Sequence, residues 1–285
     1  MKIVVLGAAG QLGGAMLAAA ARRHTATGLA RKDVDLTDSR ALTAVLAAAA
    51  PHAIINCAAF SAVDAAEDAP VDALAVNAIA VRTLARVATD LDTTLVHYST
   101  DFVFDGDGDG PNTEDRPPRP SGVYASSKLL GEWFAAEAPR HYILRVESLF
   151  GGAAPKSSVD TMLDNILGGR RVTAFSDRTV SPSYVADVAD ATLAAIERQI
   201  PYGVYHCVNS GETTWPALAR ELARLAGRPD AEIVNARMAD LKMRVRRPLN
   251  AAMSNEKLAA AGIVMPTWKD ALARHVGARL AKERR

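Results

Sequence analysis

An α/β fold built on a Rossmann-type doubly wound parallel sheet, with a smaller C-terminal α/β region, follows from three observations. The chain opens on a short β-branched run, Lys2-Ile-Val-Val-Leu6, the pattern of a strand buried on both faces of a parallel sheet. A glycine-spaced turn, Gly7-Ala-Ala-Gly10-Gln-Leu-Gly13-Gly14, joins that run directly to an alanine-rich helix reaching about Arg23. Short apolar runs then alternate with helical patterns as far as Gly151, the order that βαβ units produce.

The turn is the first element with chemistry in it. Glycines at 7, 10 and 13 allow a tight turn, close approach of a diphosphate to backbone, and close packing of helix on strand. Gln11 and Leu12 begin the helix, whose free N–H groups and dipole favour phosphate. His24 to Ala30 is the expected second strand. An NAD-preferring site carries an acid some ~20 residues past the glycines, but Leu29 and Ala30 stand there, followed by Arg31-Lys32. Two cations suit a 2′-phosphate, so the pattern favours NADP(H), with Asp33 leaving NADH open. Asp35 and Leu36 are candidates to line the adenine.

A helix through Ala41–Ala50 leads to a third strand, Ala53 to Cys57, ending at the small residues Ala58 and Ala59 where a cofactor would lie. Val71 to Asp90 reads as one long amphipathic helix, and Thr94 to Tyr98 as the fourth strand, delivering Ser99-Thr100-Asp101 at its C-terminal end. Asp105-Gly-Asp-Gly-Asp-Gly110 imitates the start of an EF-hand, yet position twelve is Arg116 rather than Glu. It is read as a turn-rich loop beside the site, and calcium is rejected. In a helical Tyr124-Ala-Ser-Ser-Lys128, residues four apart share a face. An ammonium beside a phenol favours the phenolate, so the pair is suited to passing a proton to or from a carbonyl oxygen. His141 to Arg145 is the fifth strand. Ser158–Leu167 and Pro182–Arg198 are expected helices, Val172–Phe175 and Gly203–Val208 strands, and Thr214-Trp-Pro216 opens a helix to about Ala226. Glu232–Val234, Arg246–Asn250 and a final helix complete a second region.

Composition narrows the function. At 285 residues, 49% hydrophobic and 23% charged, the chain fits one large domain or two modest ones. A net charge of +1 provides no field for nucleic acid or an anionic membrane. Basic residues do gather from Ala271 to Arg285, where they complement a helix C-terminus. Cys57 and Cys207 give no disulfide framework and fit a reducing compartment. No apolar stretch reaches a signal or a membrane span, so a cytoplasmic location is expected. The six histidines never fall at ligand spacing, and no metal site is expected. Gly-x-Ser-x-Gly is absent, removing the commonest cue for an α/β-hydrolase.

The glycine pattern, the Ser99-Thr100 pair and Tyr124-x-x-x-Lys128 together resemble the extended short-chain dehydrogenase/reductases. Four stretches narrow the resemblance to the dTDP-4-dehydrorhamnose reductase family: Asn56 to Glu67, His97-Tyr-Ser-Thr-Asp-Phe-Val-Phe-Asp-Gly106, Gly203–His206 with Ser210–Trp215, and Arg246-Arg-Pro-Leu-Asn250. The resemblance implies NADPH-dependent reduction of the C4 ketone of a nucleotide-linked 4-keto-6-deoxy sugar, most specifically dTDP-4-dehydro-L-rhamnose. It implies Thr100 as the hydroxyl polarising the ketone, Tyr124 as proton donor, and Lys128 lowering the tyrosine pKa and holding the nicotinamide ribose, with Ser99 nearby. Asp101 and Phe102 match sugar-contacting positions, and Arg247 lies where the second region approaches the nucleotide. Segments 1–149 with 179–209 would bind the cofactor, and 150–178 with 210–285 the substrate. A homodimer stays open. Arg145-Val-Glu-Ser-Leu-Phe-Gly151 departs from the family's Arg-Thr-Ser-Trp-Val-Tyr-Gly, putting Ser148 for tryptophan and adding the acid Glu147. A buried Glu147 without a partner would be costly, so it faces solvent or binds something. The alternatives are another 4-ketoreductase, a sugar-nucleotide epimerase or dehydratase, and a non-catalytic NADP-binding regulatory subunit.

Overall fold

A computed structural model describes residues 1–153 and 157–283, so the last two arginines of the basic C-terminal run lie outside the described residues. The first half forms β1 (Lys2–Leu6), α1 (Gln11–Ala21), β2 (Thr25–Leu29), α2 (Ser39–Ala49), β3 (Ala53–Asn56) and the short α3 (Val63–Ala66). Then come α4 (Pro70–Leu74), α5 (Ala80–Asp90), β4 (Thr94–Thr100), α6 (Val123–Ala135), β5 (His141–Val146) and β6 (Leu149–Phe150). The second half contains α7 (Ser158–Leu167), β7 (Val172–Phe175), β8 (Thr179–Val180), β9 (Ser183–Tyr184), α8 (Val185–Arg198) and β10 (Gly203–His206). It closes with β11 (Thr213–Thr214), α9 (Trp215–Leu225), β12 (Ile233–Ala236), α10 (Glu256–Ala260) and α11 (Trp268–Glu283).

Six strands pair in the order β10-β5-β4-β3-β1-β2, every neighbouring pair parallel. The period of two along each strand explains why the sheet is covered twice. Ile3 and Val5 point to the face where α1 and α8 supply Leu12, Met16 and Val188. Val4 and Leu6 point to the other, against Leu42, Leu46, Val81 and Leu84 of α2 and α5. Burying each such side chain stabilises the fold by about 1.5–3 kcal/mol. A separate core of α7, α9 and α11 gathers around Phe150, Leu163, Leu218 and Leu272. β7 and β12 pair in parallel beside it.

Two elements differ from the sequence reading. The helix expected over 182–198 starts at Val185, because Ser183 and Tyr184 pair with Leu149 and Phe150 instead. The helix expected as one unit over 71–90 is interrupted by a π turn, Ala75–Ile79, an i→i+5 bulge that hydropathy cannot reveal. The bulge aims Asn77 inward. Its Oδ1 accepts the Phe60 N–H at 2.8 Å, and its Nδ2 donates to the Phe60 carbonyl at 3.1 Å and Ser127 Oγ at 3.0 Å. Asn77 therefore ties the loop after β3 to α6. In the aspartate–glycine loop, Arg116 Nη2 lies 2.9 Å from Asp105 Oδ1, so a guanidinium sits where the EF-hand reading would need a cation. No described helix is long and apolar enough to cross a membrane.

Candidate active site

A cavity of about 810 Å³ opens at the C-terminal ends of β1 to β4, where ligands of open α/β sheets bind. Gly7 turns the chain at φ +72°, and a Cβ there would lie 2.8 Å from Ala58 N. At Gly13 a Cβ would meet the Gly7 carbonyl oxygen at 2.1 Å. Backbone thus replaces side chain at both points, and α1 starts with no side-chain cap and no acid in its first turn. Its N–H groups are left for an anion.

Of the residues expected at the cofactor, all but Lys32 of the Arg31-Lys32 pair line this cavity. The glycine turn contributes Gly7, Gly10, Gln11 and Leu12, and the exit of β2 contributes Arg31, Asp35 and Leu36. Cys57, Ala58, Ala59 and Ser99 come from strand ends, and Tyr124 and Lys128 from α6. Lys32 and Asp33 stay off the wall. Asp33 turns back, its Oδ2 accepting the Ala30 N–H at 2.8 Å, which leaves Arg31 and Asp35 as the charged residues of the 31–35 stretch on the wall. Buried Ser99 Oγ has no partner among the described residues. Cavity size, glycine turn, Arg31 and this orphaned hydroxyl all fit a phosphorylated dinucleotide. Phe60, Ser61, Asp72 and Val76 also line the cavity and escaped the sequence reading; the spacing of Asp72 and Val76, four apart on one helical face, was the available signal.

Thr100 ends β4, and Tyr124 and Lys128 lie on α6. The Thr100 hydroxyl donates to Asp101 Oδ1 at 3.0 Å and accepts the Phe102 N–H at 3.3 Å, and it stands close enough to the Tyr124 phenol to pull its pKa down against burial. Phe102 packs edge-on against the tyrosine ring, centroids 5.6 Å apart. One expectation is corrected here. Lys128 does not pull the phenol down, because its Nζ reaches past Tyr124 to donate to the Tyr98 carbonyl at 2.6 Å, beside His97 Nε2 at 3.4 Å. Burial instead pushes Tyr124 up to about 12. Burial also lowers Lys128 to about 8, against the opposing charge of Glu132. At neutral pH the phenol keeps its proton, as an acid in a reduction must.

A second cavity, about 290 Å³, shares Leu149 with the first. Asp101, Phe102, Ser148, Arg178 and Trp215 line it, with Ser157 and Ser158 at the N-terminus of α7. Arg178 Nη2 lies 3.1 Å from Asp101 Oδ2. Glu147 is 1% exposed and sits behind this wall, accepting the Ser181 N–H and, at 3.3 Å, the Ser148 hydroxyl. The expected dilemma over Glu147 therefore resolves as a buried, bonded acid. Burial first, then the nearby Asp101 charge, raises it well above the usual carboxylate range. Burial also raises Asp101, against the pull of Arg178.

Arg247 is the second correction. It lines neither cavity and forks onto Asp64 at 2.9 and 2.7 Å, since a bidentate carboxylate at hand outcompetes solvent. Arg178, Trp215, Ser157 and Ser158 line the wall of the smaller cavity without having been singled out in the sequence.

Residues 1–280 match the family described as RmlD substrate binding domain. Over 277 residues the chain is 35% identical to a dTDP-4-dehydrorhamnose reductase of Streptomyces griseus, spanning 94% of this chain and 91% of that one. The crystal structure of a dTDP-4-dehydrorhamnose reductase from Clostridium acetobutylicum superposes with a TM-score of 0.92 at 29% identity, covering 98% of this chain and 100% of that one. A dTDP-4-dehydrorhamnose reductase from Bacillus anthracis, in complex with NADP, gives a TM-score of 0.90 at 28% identity, covering 96% and 98%.

Proposed function

Because the chain belongs to the dTDP-4-dehydrorhamnose reductase family, we infer that it is an NADPH-dependent oxidoreductase that reduces the C4 ketone of dTDP-4-dehydro-L-rhamnose to give dTDP-L-rhamnose. One observation carries the reading. The protonated Tyr124 phenol lines the larger cavity, and its neighbour Phe102 lines the smaller one. A proton donor is thus held where a dinucleotide on one side and a sugar on the other would meet.

The larger cavity would take NADPH, with α1 and the glycine turn on the diphosphate and Arg31 on the 2′-phosphate. Bound there, the dihydronicotinamide supplies the hydride for the ketone carbon. Tyr124 donates its proton to the ketone oxygen as negative charge develops on it. Thr100, beside the phenol, would polarise the same ketone oxygen, and Asp101 and the Phe102 N–H hold its hydroxyl in place. Lys128, its Nζ held by the Tyr98 carbonyl, lines the same cavity and would hold the nicotinamide ribose. Positioning and proton transfer together account for many powers of ten. We assign cofactor binding to 1–149 with 179–209 and sugar binding to 150–178 with 210–285. Both cysteines are unpaired, which fits work in the cytoplasm. A regulatory role is disfavoured by the intact set of Thr100, Tyr124 and Lys128.

The test follows NADPH consumption with dTDP-4-keto-6-deoxyglucose, with and without a 3,5-epimerase. Oxidation only with the epimerase is the expected result. Oxidation without it assigns the chain to another 4-ketoreductase, and none in either case refutes the reading.

A further inference from the structure

The charges behind the smaller cavity do not balance. Asp101 and Glu147 are both buried, and Arg178 is the cation acting on each of them. Its guanidinium pairs with Asp101, while Glu147 makes no ion pair among the described residues and relies on Ser181 N–H and the Ser148 hydroxyl. Arg178 Nε is buried with no hydrogen-bond partner among the described residues. Tyr124, from α6, is the remaining titratable group that feels Asp101. Two carboxylates around one guanidinium in a low-dielectric site do not both ionise readily, and the one lacking an ion pair keeps the proton.

We propose that Glu147 is a positioning residue: protonated, it leaves Arg178 committed to Asp101; ionised, it draws Arg178 through the free Nε and withdraws Asp101 from the sugar. Glu147 itself does not touch the cavity, whereas Asp101, Arg178 and Ser148 do, so its effect passes through them. The Thr100 hydroxyl donates to Asp101 Oδ1, so the same displacement reaches the hydroxyl beside Tyr124. The inference rests on the smaller cavity being the sugar site.

The measurement is KM for the keto sugar against pH at saturating NADPH, in wild type and Glu147→Gln. A single ionisation raises the wild-type KM by up to about tenfold per pH unit on the alkaline side. Glu147→Gln, locked in the neutral form, keeps a flat KM and a near wild-type kcat, and NADPH binding follows the same pH curve in both. A wild-type KM that stays flat to about pH 10, or a rise that persists in Glu147→Gln, overturns the proposal. Arg178→Gln is the second variant: with no guanidinium to contest, its KM is high already at neutral pH and does not rise further. Infrared spectra without substrate supply an independent readout, a carboxylic-acid carbonyl band at neutral pH that Glu147→Gln removes. Absence of that band sinks the proposal. A band without turnover sinks only the sugar-site reading.

Discussion

Replacing Tyr124 by Phe removes one oxygen and little else, which makes its expected effect calculable. With the phenol held near 12, the hydroxyl is protonated at neutral pH and available to the ketone oxygen. Loss of a positioned general acid slows a step by roughly 10²–10⁴-fold, or about 3–5 kcal/mol at 1.36 kcal/mol per tenfold. The ring survives, so the edge-on contact with Phe102 survives. Thr100 still has Asp101 and the Phe102 N–H as partners, and Lys128 is anchored on Tyr98 and His97 independently of the phenol. NADPH affinity should therefore stay within about threefold of wild type, under 0.7 kcal/mol. Steady-state NADPH oxidation at saturating substrates gives kcat, and quenching or enhancement of NADPH fluorescence on titration gives Kd. A kcat within tenfold of wild type would refute the role given to Tyr124, as would a loss explained entirely by weaker NADPH binding.

Three further outcomes are expected. Arg31→Ala should weaken NADPH by about 10–100-fold, the worth of a charge-assisted hydrogen bond, and leave NADH nearly unchanged in the same titration. Glu132→Ala strands Arg145, paired bidentately at 2.8 and 2.7 Å in the interior, and should cost about 3–5 kcal/mol of unfolding free energy in urea. His206, lowered to about 3 chiefly by burial, is neutral when folded but takes up a proton when unfolded below about 6.5. Its depressed value means stability falls as pH drops from there toward 3. His206→Gln should flatten the dependence by about 1.4 kcal/mol per pH unit, read from urea curves at several acidic pH values.

Local signals carried most of the fold. The strand at 2–6, the helix at 158–167 and the strand at 172–175 appear at the residues expected, because β-branched runs and 3.6-residue periodicity are properties of contiguous chain. The glycine turn was equally legible, since steric demands fall on its own residues. Arg178 and Glu147 were not legible as a unit. They are 31 positions apart, and only the folding of the 147–181 segment back onto the end of β4 brings both to Asp101. The reach of Lys128 to the Tyr98 carbonyl was hidden for a similar reason: helical spacing fixes which face a side chain leaves from, not which strand atom lies opposite.

The π turn at 75–79 has a bearing on how the chain tolerates change in length. Removing one residue there would restore uniform α-helical bonding, and the segment before the cut would rotate by about 100° relative to α5. Asp72 and Val76 would swing off the cavity wall, and the Asn77 side chain would no longer reach Phe60. A deletion of this size is harmless in many surface helices. Here it would misalign the rim of the dinucleotide cleft while leaving the hydrophobic composition of the helix intact, so insertions and deletions should be scarce between Pro70 and Ala80 and free at its far end, near Asp92.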